Sequence, residues 1–200
     1  IPAEAAALGT TALIVTGARS FRATDRWDAL MAGLRSRGLG AIDLAVACEP
    51  SPELVDDAVR SSRGRGIDVV IASGGGSALD AGKAIAGLLV PGNSVLDHLE
   101  GVGPEKPYQG PATPLIAVPT TAGTGSEATP TAVLRRQGAD GFKKSFRDEK
   151  LVAQVAIVDP ADAVNTAAFN ALLKTLEEPQ PGRHLWLVAA NPARLPATIR

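Results

Sequence analysis

Cysteine is nearly missing from this chain. Cys48 is the sole one in 200 residues, which excludes a disulfide framework and a cysteine-built zinc site, and nothing calls for an oxidising compartment. Histidine is as scarce, with only His98 and His184. Aromatic residues are 4% of the chain, which suits tight helix-on-sheet packing better than an aromatic ligand platform. Net charge is −1, so there is no bulk pull toward nucleic acid or membrane, and direct nucleic-acid binding is not expected. The longest apolar runs, such as 67–72 and 185–190, are only strand-length, so no membrane span is indicated. No basic-then-apolar leader opens the sequence, and the cytoplasm is the expected compartment. A chain that starts at Ile1 rather than Met reads as a fragment of a longer product.

What the chain does have is an alternation of short apolar runs and amphipathic stretches. "ALIVT" (12–16), "AIDLAV" (41–46), "IDVVIA" (67–72) and "LIAV" (115–118) read as strands. Between the first two, Trp27, Leu30, Met31 and Leu34 recur at helical spacing, with Thr24 as cap and Gly38 as stop. "SPELVDDAV" opens a second helix with Ser51 as cap and Pro52 in its first turn. A third helix spans about 77–90. This order predicts an α/β fold built on a parallel sheet. Residues 91–114, rich in Pro and Gly, read as a surface excursion. Residues 131–147 read as a hairpin around "RQGADG", 151–159 as a strand, 162–177 as an amphipathic helix, and 184–190 as one more buried strand.

Two loops carry the chemistry. In "IASGGGSALDAGKA" (71–84), Gly74, Gly75 and Gly76 follow a buried strand and lead into a helix. Unpaired first-turn N–H groups and the helix dipole favour an anion there, and Ser77 either caps the helix or donates to a phosphate oxygen. The same glycines would also serve a plain tight turn. The phosphate-loop pattern G-x-x-x-x-G-K-[ST] fails, because Ser77 stands five before Gly82 and Ala84 follows Lys83. The pattern G-x-G-x-x-G fails as well, with Leu79 at the third glycine position. The second loop, in "AVPTTAGTGSEATPT" (117–131), sets six hydroxyl residues and two glycines after a strand end. Ligands of open α/β sheets bind at the carboxyl ends of strands, so both loops converge on one candidate ligand.

These blocks, with "KKSFRDEKLVAQVAIVDP", resemble the cofactor half of the iron-containing (group III) alcohol dehydrogenase family, a dehydroquinate synthase-like dinucleotide-binding domain, over about 1–160. The resemblance implies NAD or NADP, and interconversion of a small alcohol and an aldehyde or ketone in the intact family. It places the cofactor diphosphate at Gly74, Gly75, Gly76 and Ser77, adds Asp80, and lays Thr120, Thr121, Thr124 and Ser126 along the cofactor. It leaves a homo-oligomer open, and maleylacetate reductases share the pattern. Many members carry an acidic residue where this chain has Gly17, at the end of the first strand. Its replacement removes repulsion against a 2′-phosphate, and Arg19 or Arg22 would attract one, which keeps NADP in play.

The family's metal site needs an Asp and three His, and two His in total cannot supply it. No iron or zinc is expected, and the metal-binding helical domain is expected to be missing. His98 reads as solvent-facing and His184 as structural, with Asp159 as a strand-end residue and Asp162 as a helix cap. From 157 onward, "IVDPADAVNTAAFNALLKTLEEPQPGRHLWLVAANPARLPATIR" resembles the AAA+ module of bacterial clamp loaders, nearest to the delta-prime subunit of DNA polymerase III. That implies a scaffolding segment without nucleotide hydrolysis. The expected division is a cofactor domain over 1–160 and a short α/β clamp-loader-like segment over 161–200. They are joined as an apparent chimera at "IVDPAD", by fusion, recombination or an assembly error.

Overall fold

The computed structural model describes residues 1–121, 124–161, 164, 169, 176–177 and 181–196. Within them the expected alternation is realised as β1 (Thr11–Gly17), β2 (Gly40–Val46), β3 (Val69–Gly74), β4 (Leu115–Pro119), β5 (Thr131–Arg136), β6 (Phe142–Arg147), β7 (Val155–Val158) and β8 (His184–Leu187). Among the helices that accompany them are α1 (Pro2–Leu8), α2 (Asp25–Ser36), α3 (Pro52–Ser62) and α4 (Gly76–Leu88). Six strands form one parallel sheet in the order β2-β1-β3-β4-β7-β8, and β5 and β6 form a separate antiparallel hairpin.

The centre of the sheet, β1, β3 and the start of β4, is buried on both faces because these strands are apolar at consecutive positions, not alternate ones. Leu13, Val15, Val70, Ala72, Leu115 and Ala117 face α3 and α4. Ala12, Ile14, Val69, Ile71, Ile116 and Val155 face α1 and α2. Helix α2 presents Leu30 and Leu34 to that second face, with Trp27 and Met31 half-buried beside them. Its Thr24 precedes the first turn, but the hydroxyl donates back to the Phe21 carbonyl at 2.7 Å and does not cap the helix. Ser51 does cap α3, accepting from the Leu54 N–H at 3.2 Å. Gly38 ends the α2 region with φ +75°, a conformation that an L side chain rarely adopts. Helix α4 lies close against β3 because Gly82 has no side chain: a Cβ there would stand 2.5 Å from that of Ala72.

Three expectations are corrected. The stretch 91–114 is not a surface excursion, because Val95, Leu99 and Tyr108 are buried in the core beneath α4. His98 is half-buried rather than solvent-facing. It stacks on Phe146, with ring centroids 5.2 Å apart, meets Tyr108 edge-on, and shares a 2.8 Å hydrogen bond from Nδ1 to the Lys106 carbonyl. The strand expected as buried over 184–190 is β8, the sheet's edge, where Trp186 is 52% and Val188 46% exposed. Of the helix expected over 162–177, only Val164, Phe169, Leu176 and Glu177 are described, the last three in helical conformation, and Asp162 lies outside the described residues. Asp159 is exposed where β7 ends.

Candidate functional site

The sheet's strand order reverses between β1 and β3, since β2 lies beyond β1 and β4 beyond β3. Loops leaving the carboxyl ends of β1 and β3 therefore diverge and open a crevice, the usual ligand position in a doubly wound sheet. Gly17 ends β1 and Gly74 ends β3. They lie close together: a Cβ added to Gly74 would stand 3.3 Å from the Gly17 nitrogen.

Both chemistry-bearing loops meet here. The Thr120 N–H donates to the Gly74 carbonyl at 2.9 Å, joining the end of β4 to the end of β3. Gly75 is the residue that precedes the first turn of α4, so Ser77 is not its cap and its hydroxyl serves no helix N–H. The glycines face threonines. A Cβ on Gly75 would lie 3.3 Å from the Thr121 hydroxyl, and one on Gly76 would lie 3.0 Å from the Thr124 methyl. Space at the start of α4 exists only because positions 75 and 76 are bare. A cleft of about 490 Å³ opens there, lined by Gly76, Ser77, Asp80, Thr124 and Ser126. Gly17, Gly74, Gly75, Thr120 and Thr121 sit at the adjoining strand ends rather than on the cleft wall.

Below the cleft lies a buried polar network. Lys83, 1% exposed, donates to the Ser126 carbonyl at 2.7 Å, to the Ser126 hydroxyl at 3.1 Å and to the Thr131 carbonyl at 2.7 Å. Ser126 in turn donates to Asp80 at 2.6 Å. Burial pushes the Lys83 ammonium down to about 8, partly opposed by the Asp80 and Glu127 carboxylates. Burial also raises the Asp80 carboxyl above its usual range, against the pull of the Ser126 hydroxyl and of Lys83. Glu127 is raised by burial too, and its Oε2 has no hydrogen-bond partner among the described residues. Lys83 thus ties α4 to the loop after β4 and to the start of β5.

The sequence reading missed this lysine, and it missed the far wall of the cleft. There Glu49 and Pro50, after β2, face Thr129, Thr131 and Lys143 of the hairpin side. Glu49 is paired with Lys143 and, at 2.8 Å, with Arg135; those donors hold its carboxyl below the ordinary range. The signal for Lys83 was present as a charged residue inside the apolar run "SALDAGKAIAGLL", three residues after Asp80 and so on its helix face. Nothing local announces Glu49, whose partners lie 86 and 94 residues away.

Of the two arginines near Gly17, Arg22 is engaged within the fold. It pairs with Asp43 at 2.7 Å, donates to Thr16 at 2.7 Å and lies over the Trp27 ring. Arg19 is exposed, and no carboxylate pairs with it among the described residues. Among the described residues no three His, Cys, Asp or Glu side chains gather as a metal ion requires. His98 is held in its aromatic stack, and His184 is exposed on the edge strand.

The family model for iron-containing alcohol dehydrogenase matches residues 1–160. A second model, for the DNA polymerase III delta subunit, matches residues 137–200, so the two overlap over the hairpin tip, β6 and β7. The chain is 34% identical over 160 residues to choline dehydrogenase of Bacillus subtilis (strain 168), covering 78% of this chain and 39% of that protein. It superposes with a TM-score of 0.73 and 32% identity on the archaeal halo-thermophilic Red Sea brine pool alcohol dehydrogenase ADH/D1 bound to NZQ, covering 79% of this chain and 41% of that one. Sulfoacetaldehyde reductase from Bifidobacterium kashiwanohense in complex with NAD+ gives a TM-score of 0.68 at 32% identity, over 79% of this chain and 40% of that one. The chain therefore spans about two fifths of the length of these proteins. No helix among the described residues is long and apolar enough to cross a membrane.

Proposed function

We propose, for a chain that belongs over residues 1–160 to the iron-containing alcohol dehydrogenase family, that the cleft at the start of α4 binds a nicotinamide dinucleotide. The observation that carries this reading is the paired-loop cradle: bare Gly75 and Gly76 face Thr121 and Thr124 across the first turn of a 13-residue helix. The N–H groups of Gly76 and Ser77 belong to that first turn and have no intrahelical acceptor. They and the positive end of the helix dipole receive the cofactor diphosphate. Ser77, its hydroxyl not used as a cap, donates to a phosphate oxygen. Thr120, Thr121, Thr124 and Ser126 line the path of the dinucleotide, and Asp80 orients Ser126. When bound, the nicotinamide supplies or accepts a hydride, and the chain's own contribution is to hold the cofactor at fixed orientation.

The two cofactors differ at one ribose hydroxyl, and Gly17 bears on that choice. A Cβ at Gly17 would meet nothing within 4 Å, so the end of β1 leaves room for a 2′-phosphate and offers no carboxylate to repel it. Arg19 is the cation available to attract that phosphate, because Arg22 is committed to Asp43. NADP is accepted alongside NAD on this reading. The reaction served is interconversion of a small alcohol and its aldehyde or ketone in the cytoplasm, without a metal held by this chain. Titration with NADH and NADPH, followed by nicotinamide fluorescence, tests it, and lack of saturable binding of either rejects it.

A second reading applies to the C-terminal segment alone. The delta-subunit match over 137–200 supports a division into a cofactor domain (1–160) and a clamp-loader-like piece (161–200), joined as a chimera. Sequencing the source locus across codons 150–170 tests it, and two separate genes at that junction would mark the joint as artefactual.

A further inference from the structure

The C-terminal segment resembles a different family, yet it is built into the sheet and reaches the cleft loop. Strand β8 pairs with β7 in parallel register from Val155↔His184 to Val158↔Leu187. The Val188 N–H donates to the Val158 carbonyl at 3.0 Å, and the Ala161 N–H to the Val188 carbonyl at 2.6 Å. Above this pairing Val158, Ala161 and Phe169 form a buried cluster of their own, with Leu176, Leu185 and Leu187 packed on it. Ala128 packs on the same cluster, and Ala128 belongs to the turn Ser126–Ala128 in the loop after β4.

That turn is weakly held by itself. Among the described residues its internal backbone bonds are short-range, Ala128 N–H to Gly125 at 3.0 Å and Thr129 N–H to Ser126 at 3.4 Å. It enters through Gly125 at φ +62°. It also has support from outside. Lys83 grips Ser126 from α4, and the Phe169 cluster backs Ala128 from the C-terminal segment. Ser126 is the residue whose hydroxyl reaches Asp80 at 2.6 Å on the cleft wall.

We propose that Phe169 is a positioning residue for the cofactor cleft: its apolar cluster braces the Ser126–Ala128 turn through Ala128, so the C-terminal segment sets the geometry in which Ser126 meets Asp80. The proposal rests on the cofactor reading for its functional consequence and on the packing alone for its structural one. Phe169 acts through the cluster on which Ala128 packs.

The test is amide hydrogen exchange together with NADH titration on the full chain, comparing wild type with Phe169→Ala, Phe169→Leu and Leu187→Ala. In Phe169→Ala, exchange at Ser126, Ala128 and Thr129 rises about tenfold, while the β1 and β3 amides keep their protection. NADH affinity falls several-fold, and Phe169→Leu restores both. Leu187→Ala, a milder truncation of the same cluster, moves both in the same direction. Unchanged exchange at the turn in both alanine variants overturns the proposal. Loss of the whole fold in both does so too, because the cluster would then be serving the sheet and not the turn. Faster exchange at the turn in a chain whose wild type binds no NADH leaves the brace standing and rejects the cofactor reading.

Discussion

Lys83 donates its buried ammonium to the Ser126 carbonyl at 2.7 Å, across 43 residues of sequence. With the second bond to Thr131 at 2.7 Å, it fastens helix α4, the hydroxyl-rich loop and the hairpin around one charge. The glycine turn at the start of α4 and the loop opposite are held in register from underneath, by a side chain that lines no part of the cleft.

Replacing Lys83 by Met leaves the part-buried Thr131 carbonyl without its donor and the buried Ser126 carbonyl with only the Thr129 N–H at 3.4 Å. Each unsatisfied group costs about 1–3 kcal/mol, so urea denaturation of Lys83→Met shows a loss of about 2–4 kcal/mol. Lys83→Arg does not restore it, because the planar guanidinium does not fit a pocket shaped for an ammonium. A loss below half a kcal/mol would show that the network is dispensable.

The same lysine gives stability a pH dependence. Folding lowers its pKa from 10.5 to about 8, so between those values the unfolded chain holds a proton that the folded chain has released. Stability then rises with pH across that window. Below pH about 8 both states are protonated and the full burial penalty applies. The prediction is read as a difference: the gap in Tm between wild type and Lys83→Met widens from pH 8 to pH 10. A constant gap contradicts it.

Gly76→Ala places a Cβ 3.0 Å from the Thr124 methyl, inside the cradle. NADH affinity is expected to fall about tenfold, roughly 1.4 kcal/mol. Thr124→Ser removes that methyl, so the double variant Gly76→Ala/Thr124→Ser recovers most of the loss. Equal affinities in wild type and Gly76→Ala would separate the cleft from the cofactor.

Gly17→Asp is well tolerated by the fold, since a Cβ there meets nothing within 4 Å. The new carboxylate repels a 2′-phosphate. The variant is expected to bind NADPH about tenfold more weakly while NADH binding holds or improves, as parallel fluorescence titrations would read. Equal losses for both cofactors would place the ribose elsewhere.

Most of the parallel sheet was legible because its strands are short apolar runs, two of them (β1 and β3) closed by glycine, and their order of appearance alternates with helices. β3 was read two residues early, as 67–72 rather than Val69–Gly74, because Ser73 and Gly74 look like loop until β4 pairs with them, as in Gly74↔Pro119. Burial of Val95, Leu99 and Tyr108 was hidden by the prolines and glycines around them, which erase any period. The edge position of β8 was illegible in principle: apolar content says that a strand forms, not which strand lies beyond it. At the site, both loops could be read locally, being glycines and hydroxyls at strand ends. Lys83, Glu49 and Lys143 act through partners dozens of residues distant, and pairings of that range leave no local pattern.

The most direct measurement is calorimetric titration of the purified chain with NADH and NADPH, repeated on Gly76→Ala. The account predicts saturable binding at one site per chain, weakened by the substitution. Heats no different from dilution for both nucleotides, from a chain that unfolds cooperatively and is therefore folded, would contradict it.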